Sequence, residues 1–481
     1  MSILYDLFAY NAIKLRYMQH YSPAIVDLNR TSSNQSNGIV FEYNENKSLA
    51  AESVSPMIDE TFRSYRYRWI VLAVFMFVNL MMQLLWISYA PVTGPTAKFY
   101  GVTDRSVGFL AMSFMIVYIP LSIPESWAID KFGFRKMVSL GAILMGVFGL
   151  LRGLAGANYT LALVATIGIA IGQPFLMNSW TTVPAKWFAQ EFRATAVGLV
   201  TLAGLIGIAL GMVLTPMLNQ TLPIDRIQVL YGGVAAFAAL LFVILARETP
   251  PTPPCRDSVQ TRALMLDGLK NALSNRSFWL ILMISFLGMA IFNGITTWVE
   301  NIVRPRGFTP TEAGTLGAVL LVGGICGAII LPAFSDKEHK RRKFLIISLV
   351  CAIPGLIGFT FAPSLWLLVT SAFFLGFFLV SASPITMQFG AEITQPTPEG
   401  TSNGLFQLFG QVSVVFVYIM EALKDASGTF TPSLILAGVL LILSVLAALR
   451  LKDPVFASEP DATAATAETL EPASHARPTH G

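Results

Sequence analysis

The residues of this 481-residue chain that could do chemistry are mostly neutral groups in apolar surroundings. Trp86 and Tyr89 stand three apart in the segment Met82 to Ala90, with polar Gln83 and Ser88 close by. On a helix that spacing puts both rings on one face. Farther along come Gln173 and Asn178, then Asn293 beside Phe292, then Gln407 and Gln411, each within an apolar run. Amides and rings in such places offer hydrogen bonds and π faces, and polar groups are expensive enough there to mark a solute path. The competing use of any one amide is a hydrogen bond between helices. Titratable groups are missing from the centres of these runs: Glu125, Glu300, Glu392 and Glu421 all fall near ends. Without a central carboxylate, histidine or cation, neither proton coupling nor an anionic solute is indicated. Rings and amides suit an organic cation, or a large flat apolar molecule.

The chain that must position these groups is 54% hydrophobic and 12% charged, with a mean hydropathy of +0.62. So little polar surface excludes a soluble globular domain and implies a polytopic protein in a lipid bilayer. The net charge of +4 does not point to nucleic acid, because excess Lys and Arg collects in cytoplasmic loops. Cys255, Cys326 and Cys351 are widely separated and support neither a disulfide framework nor a metal site. No cofactor is implied, and no nucleophile and base pair suggests an enzyme.

A bilayer core takes about 20 apolar residues per helix. Twelve such runs occur, near 69–92, 106–128, 137–155, 159–182, 194–218, 228–246, 277–300, 312–334, 343–361, 364–388, 400–423 and 431–450. The expected organisation is a disordered tail (1–62), a six-helix half (63–247), a Pro-rich and charged linker (248–276), a second half (277–452) and a disordered tail (453–481). The first tail lacks the order of a cleaved signal, and Met57 offers a second candidate start. His475 and His480 in the last tail read as solvated. Lys and Arg concentrate before the first run, in the linker and in loops such as Lys340 to Lys343, which places both tails and the linker in the cytoplasm. That orientation makes the sequon at Asn29 unusable. At 1.5 Å per residue Gln173 and Gln411 fall near mid-membrane, with Trp86 and Asn293 in the outer half.

The halves repeat at a fixed offset. Asp336 follows Asp130 by 206 residues, and Gly404 follows Gly198 by the same 206. Duplicated transporters hold the solute between their repeats. The segment from Ser126 to Lys136 resembles the signature of the major facilitator superfamily, Gly-x-x-x-Asp-Arg-x-Gly-Arg-Lys, with Ser126, Lys131 and Phe134 as departures. Asp130, Lys131, Gly133 and Arg135, with Asp336 and Arg341 in the second half, read as a conformational latch: a carboxylate at a helix end pairs with cations or a facing helix N-terminus, and glycine permits the turn. A plain positive loop is the simpler use, and its duplication argues against that. Gly204, Gly207 and Gly211 in the fifth run and Gly314, Gly317, Gly323, Gly324 and Gly327 in the eighth let helices approach closely. In the superfamily these two helices face each other, so the resemblance implies a rocking interface.

Trp86 to Tyr89, Phe99 to Val102, Tyr118 to Pro120, Lys131 to Arg135, Ala185 to Phe188, and Glu392 to Thr394 followed by Glu399 to Ser402 resemble the feline leukaemia virus subgroup C receptor family, over roughly residues 65–450. The resemblance implies an all-α major facilitator fold of twelve transmembrane helices in two pseudo-symmetric six-helix bundles. It also implies transport of choline, ethanolamine or haem, and a cage to which Trp86, Gln173 and Gln411 correspond. Asn293, with Phe292 beside it, stands where the family has a tyrosine. Tyr89 reads as a gate or interfacial anchor. The expected function is facilitative transport of a small organic solute by alternating access, by a monomer in the plasma membrane. A proton-coupled exporter of hydrophobic compounds, using Glu125 or Glu300, and a non-transporting membrane receptor are the alternatives.

Overall fold

The computed structural model describes residues 65–252, 254, 273–338, 340–394, 399–425 and 428–451. The tails, most of the linker, Cys255, His475 and His480 lie outside the described residues. The described chain is helical. Twelve helices are long and apolar enough to cross a membrane: α1 Arg68–Tyr100, α2 Asp104–Phe132, α3 Phe134–Leu154, α4 Tyr159–Trp187, α5 Glu191–Leu218, α6 Ile224–Leu245, α7 Arg276–Thr297, α8 Pro310–Glu338, α9 Arg341–Phe361, α10 Leu365–Ile393, α11 Gly404–Ala422 and α12 Thr431–Leu449. They alternate in direction. The end where α1 begins, α6 leads on to α7 and α12 finishes is here the tail end, and the opposite one the distal end.

The first helix of each half is broken at the distal end. In α1, regular helix stops at Ile87, a 3-10 turn runs over Ala90–Val92, and helix resumes at Thr93. Pro91 supplies no N–H to continue the ladder. After α7 the chain turns at Trp298 into the short helix Val299–Val303. Pro91 and Thr297 are 206 apart, so the repeats break at matching places. Helix α11 is interrupted at Ser413.

The glycine stripes do not form one surface. A side chain at Gly314 would lie 2.2 Å from the Met212 carbonyl of α5, so α8 and α5 cross in contact there, with Gly317 beside it. Gly207 and Gly211 instead face Leu80 and Ile87 of α1, and Gly323, Gly324 and Gly327 face Phe373, Val380 and Phe377 of α10. Two glycines therefore serve the crossing between halves and the others tighten packing within a half.

Candidate functional site

Polar residues of α4, α7 and α11 come together in the interior. Met177 of α4 meets Gln407 of α11, whose Nε2 lies 3.9 Å from the thioether sulfur. The two helices run in opposite directions, so Gln173 and Gln411 each lie one helical turn from that contact on its distal side. Both side chains are buried, and Gln173 Oε1 has no hydrogen-bond partner. Asn293 of α7 donates to Ser413 Oγ at 2.9 Å and fixes the α11 break two residues past Gln411. Its amide is thereby committed to the scaffold, while Phe292 beside it is 9% exposed.

Trp86 and Tyr89 part company. The Trp86 indole N–H donates to the Ala111 carbonyl of α2 at 3.2 Å, which orients the ring from α1 toward the neighbouring helix. Tyr89 lies beyond the end of regular helix and packs in a separate apolar cluster. Its hydroxyl is 3.1 Å from that of Tyr100, and the Arg152 guanidinium sits 5.0 Å from its ring. A single shared face would have required the helix to continue past Ile87.

Arg152 stands near the end of the third apolar run. It is fully buried inside α3 and donates to the Leu85 carbonyl (3.1 Å), Ser88 Oγ (3.3 Å) and Gln228 Oε1 (2.6 Å). Those bonds hold the carbonyl and hydroxyl of the α1 break in place. Its position one turn from the end of an apolar run looked like a boundary charge, and no local signal separates the two.

The halves are pinned together at the distal end. Glu300, 1% exposed, accepts from the Gly94 N–H at 3.3 Å, and its other oxygen lies 3.5 Å from Arg304 Nε. Arg304 and Asn301 both reach Asp104 of α2. Arg105 of α2 meets the Tyr418 hydroxyl of α11, and Gln220 meets Thr311. Gly94 and Glu300 are 206 apart and so lie together on the pseudo-twofold axis. Burial pushes the Glu300 carboxyl up to about 6, against the opposing pull of Arg304 and the Gly94 amide.

At the tail end the latch residues divide unequally. Gly133, at φ 88°, turns the chain from α2 into α3. The N-terminus of α3 is capped by Glu248, which accepts from the Phe134 and Arg135 amides at 3.1 and 2.7 Å and pairs with Lys186. Asp130 and the Arg135 side chain are exposed, and Lys131 lies 4.6 Å from the Trp127 ring. In the second half Arg341 pairs with Asp336 and with Glu392, the latter at 2.9 Å. Lys186 and Glu392 are 206 apart. The equivalent position thus carries opposite charge in the two halves, and Glu248, taken from the sequence as the start of a linker, supplies the first half's carboxylate.

A family model described as Major Facilitator Superfamily matches residues 69–417 and 299–477. The zebrafish (Danio rerio) choline/ethanolamine transporter flvcr2b is 26% identical over 444 residues, covering 86% of this chain and 91% of that relative. The Danio rerio solute carrier family 49 member A3 is 28% identical over 409 residues, covering 81% and 85%. Among solved structures, an inward-facing, unoccupied bacterial homologue of the human lysosomal transporter Spinster superposes with a TM-score of 0.63 at 17% identity, over 80% of this chain and 98% of that one.

Proposed function

The chain belongs to the Major Facilitator Superfamily, and from that premise we propose that this membrane transporter carries a small organic cation, a choline-like or ethanolamine-like amine, by facilitative alternating access. The observation that carries the reading is the pair of buried amides, Gln173 and Gln411, on facing helices of the two halves, with Gln173 Oε1 left without a partner. A buried acceptor without a donor calls for a ligand that brings one. The names of the relatives supply amines as the solute class, and Trp86 supplies a π face. Asn293 stands behind the site and tunes it through the α11 break. With the distal end pinned, the solute's way in or out is at the tail end, where release of the Arg341 and Glu248 pairings accompanies the change of state. The Lys and Arg bias puts that end, with both termini, in the cytoplasm. The plasma membrane and a monomer complete the reading.

Uptake of labelled choline and ethanolamine into proteoliposomes tests it. Loss of the Trp86 ring removes about 0.5 to 2 kcal/mol of cation-π attraction, so W86A raises KM by roughly 2- to 30-fold. Q173A and Q411A each weaken uptake without changing the amount of folded protein. Uptake unchanged by W86A overturns the site, and no uptake of either amine overturns the solute class.

A further inference from the structure

Gln83 Oε1 on α1, Gln173 Oε1 on α4 and Glu125 Oε2 on α2 are enclosed acceptor oxygens without a donor. Of these three, only Glu125 carries charge. It is 6% exposed. Of the two carboxylates buried to that degree among the described residues, Glu300 has Arg304 and Glu125 has no basic group within ion-pair distance. Glu125 belongs to the stripe Tyr118, Ser122, Glu125 and Ile129, the face of α2 turned toward α4. On that face the Tyr118 hydroxyl donates to Asn178 Oδ1 at 2.7 Å, and Asn178 Nδ2 donates to the Ser122 carbonyl at 3.0 Å. The carboxylate lies beside the Phe175 amide, two residues past Gln173 toward the tail end. An ionised carboxylate so enclosed in a bilayer needs a positive partner. The described residues offer none, and a cationic solute is one.

We propose that Glu125 is a second binding point on the solute path, on the tail side of Gln173, which takes the ammonium group of a primary amine through a charge-assisted N–H···O bond. The chain therefore prefers protonated primary amines to quaternary ammonium solutes. A quaternary nitrogen has no N–H to give to Glu125, Gln173 or Gln83, and it binds through aromatic walls. Here those walls are few, because the α7 position near the site is Asn293, whose amide is engaged with Ser413. This inference rests on the organic-cation reading above and concerns a different residue and a different bond.

The test is calorimetric titration of the full-length chain in lipid nanodiscs with ethylammonium and tetramethylammonium as probes. Ethylammonium binds the unmodified protein at least about tenfold more tightly. Glu125→Gln removes most of that preference and changes tetramethylammonium binding by less than about threefold. Equal affinities in the unmodified protein, no binding of either probe, or a preference that survives Glu125→Gln overturns the proposal. If that variant fails to fold, infrared difference spectra of the unmodified protein decide. Ethylammonium shifts a carboxyl C=O band and tetramethylammonium does not; ethylammonium binding with an unshifted band overturns it. The two readings separate cleanly. Uptake insensitive to W86A with the Glu125-dependent preference intact removes the Trp86 site alone, and the reverse pattern removes only Glu125.

Discussion

Arg152 shows what a single residue contributes when its charge is held entirely by neutral acceptors. The Leu85 carbonyl, Ser88 Oγ and Gln228 Oε1 share the guanidinium, and Tyr89 covers it. Truncation strands these acceptors and leaves a void at the α1 break. We expect R152A to destabilise by about 2 to 4 kcal/mol, read as a lowered melting temperature in detergent, with R152K recovering only part because an ammonium lacks the planar fork. A variant that melts like the unmodified protein would show that water replaces the network. From the sequence, residue types were legible and residue partners were not. The amides of Gln173, Asn293 and Gln411 stood out because amides are rare in apolar runs. That Asn293 bonds Ser413, and that Tyr89 and Trp86 lie in separate clusters, depends on helix breaks that hydropathy does not record.

The two latches share one equivalent position, Lys186 and Glu392, and are unequal in energy. Lys186 and Glu248 are 32% and 34% exposed, so water screens the pair, and E248A costs less than about 1 kcal/mol from the ion pair itself. Arg341 and Glu392 are 8% and 10% exposed, while the other partner, Asp336, is 59% exposed. Glu392→Ala leaves a buried guanidinium leaning on one solvated carboxylate, and we expect a loss of about 3 kcal/mol. Chemical denaturation of the two single variants in the same detergent compares them, and equal effects would refute the ranking. Twelve helices, their order and the repeat were readable because hydropathy and the 206-residue offset are properties of the chain itself. The partners of the helices were not. Glycine spacing announces close approach without saying to what, which is why one expected interface resolves into contacts with α1, α5 and α10. Glu248 was hidden for the same reason: beside Pro250 and Pro251 it reads as linker until the N-terminus of α3 comes to it.

For the whole molecule, the distal closure links conformation to pH, and the sign follows from Glu300. Its carboxyl titrates near 6 when enclosed, against 4.5 when solvated, as it becomes once the halves separate at that end. The enclosed state therefore holds its proton more tightly. Closure is favoured fully below about 4.5 and loses that advantage as pH rises through about 6. The difference amounts to about 2 kcal/mol, or roughly 30-fold in the balance of the two states. The charged groups around Glu300, namely Arg304, Asp104 and Lys424, all lie at the same end, and Arg304 with Asp104 also joins the halves there. Spin labels on exposed Lys98 of the first half and Pro363 of the second read the equilibrium as a distance distribution. Acidification from about pH 7.5 to 4.5 should shift it toward the short, closed population. Glu300→Gln, a permanent mimic of the protonated acid, should hold the closed population at every pH and slow uptake that requires the distal end to open. A distribution that opens on acidification would mean that the ionised Glu300, through Arg304 and the Gly94 amide, outweighs its own burial.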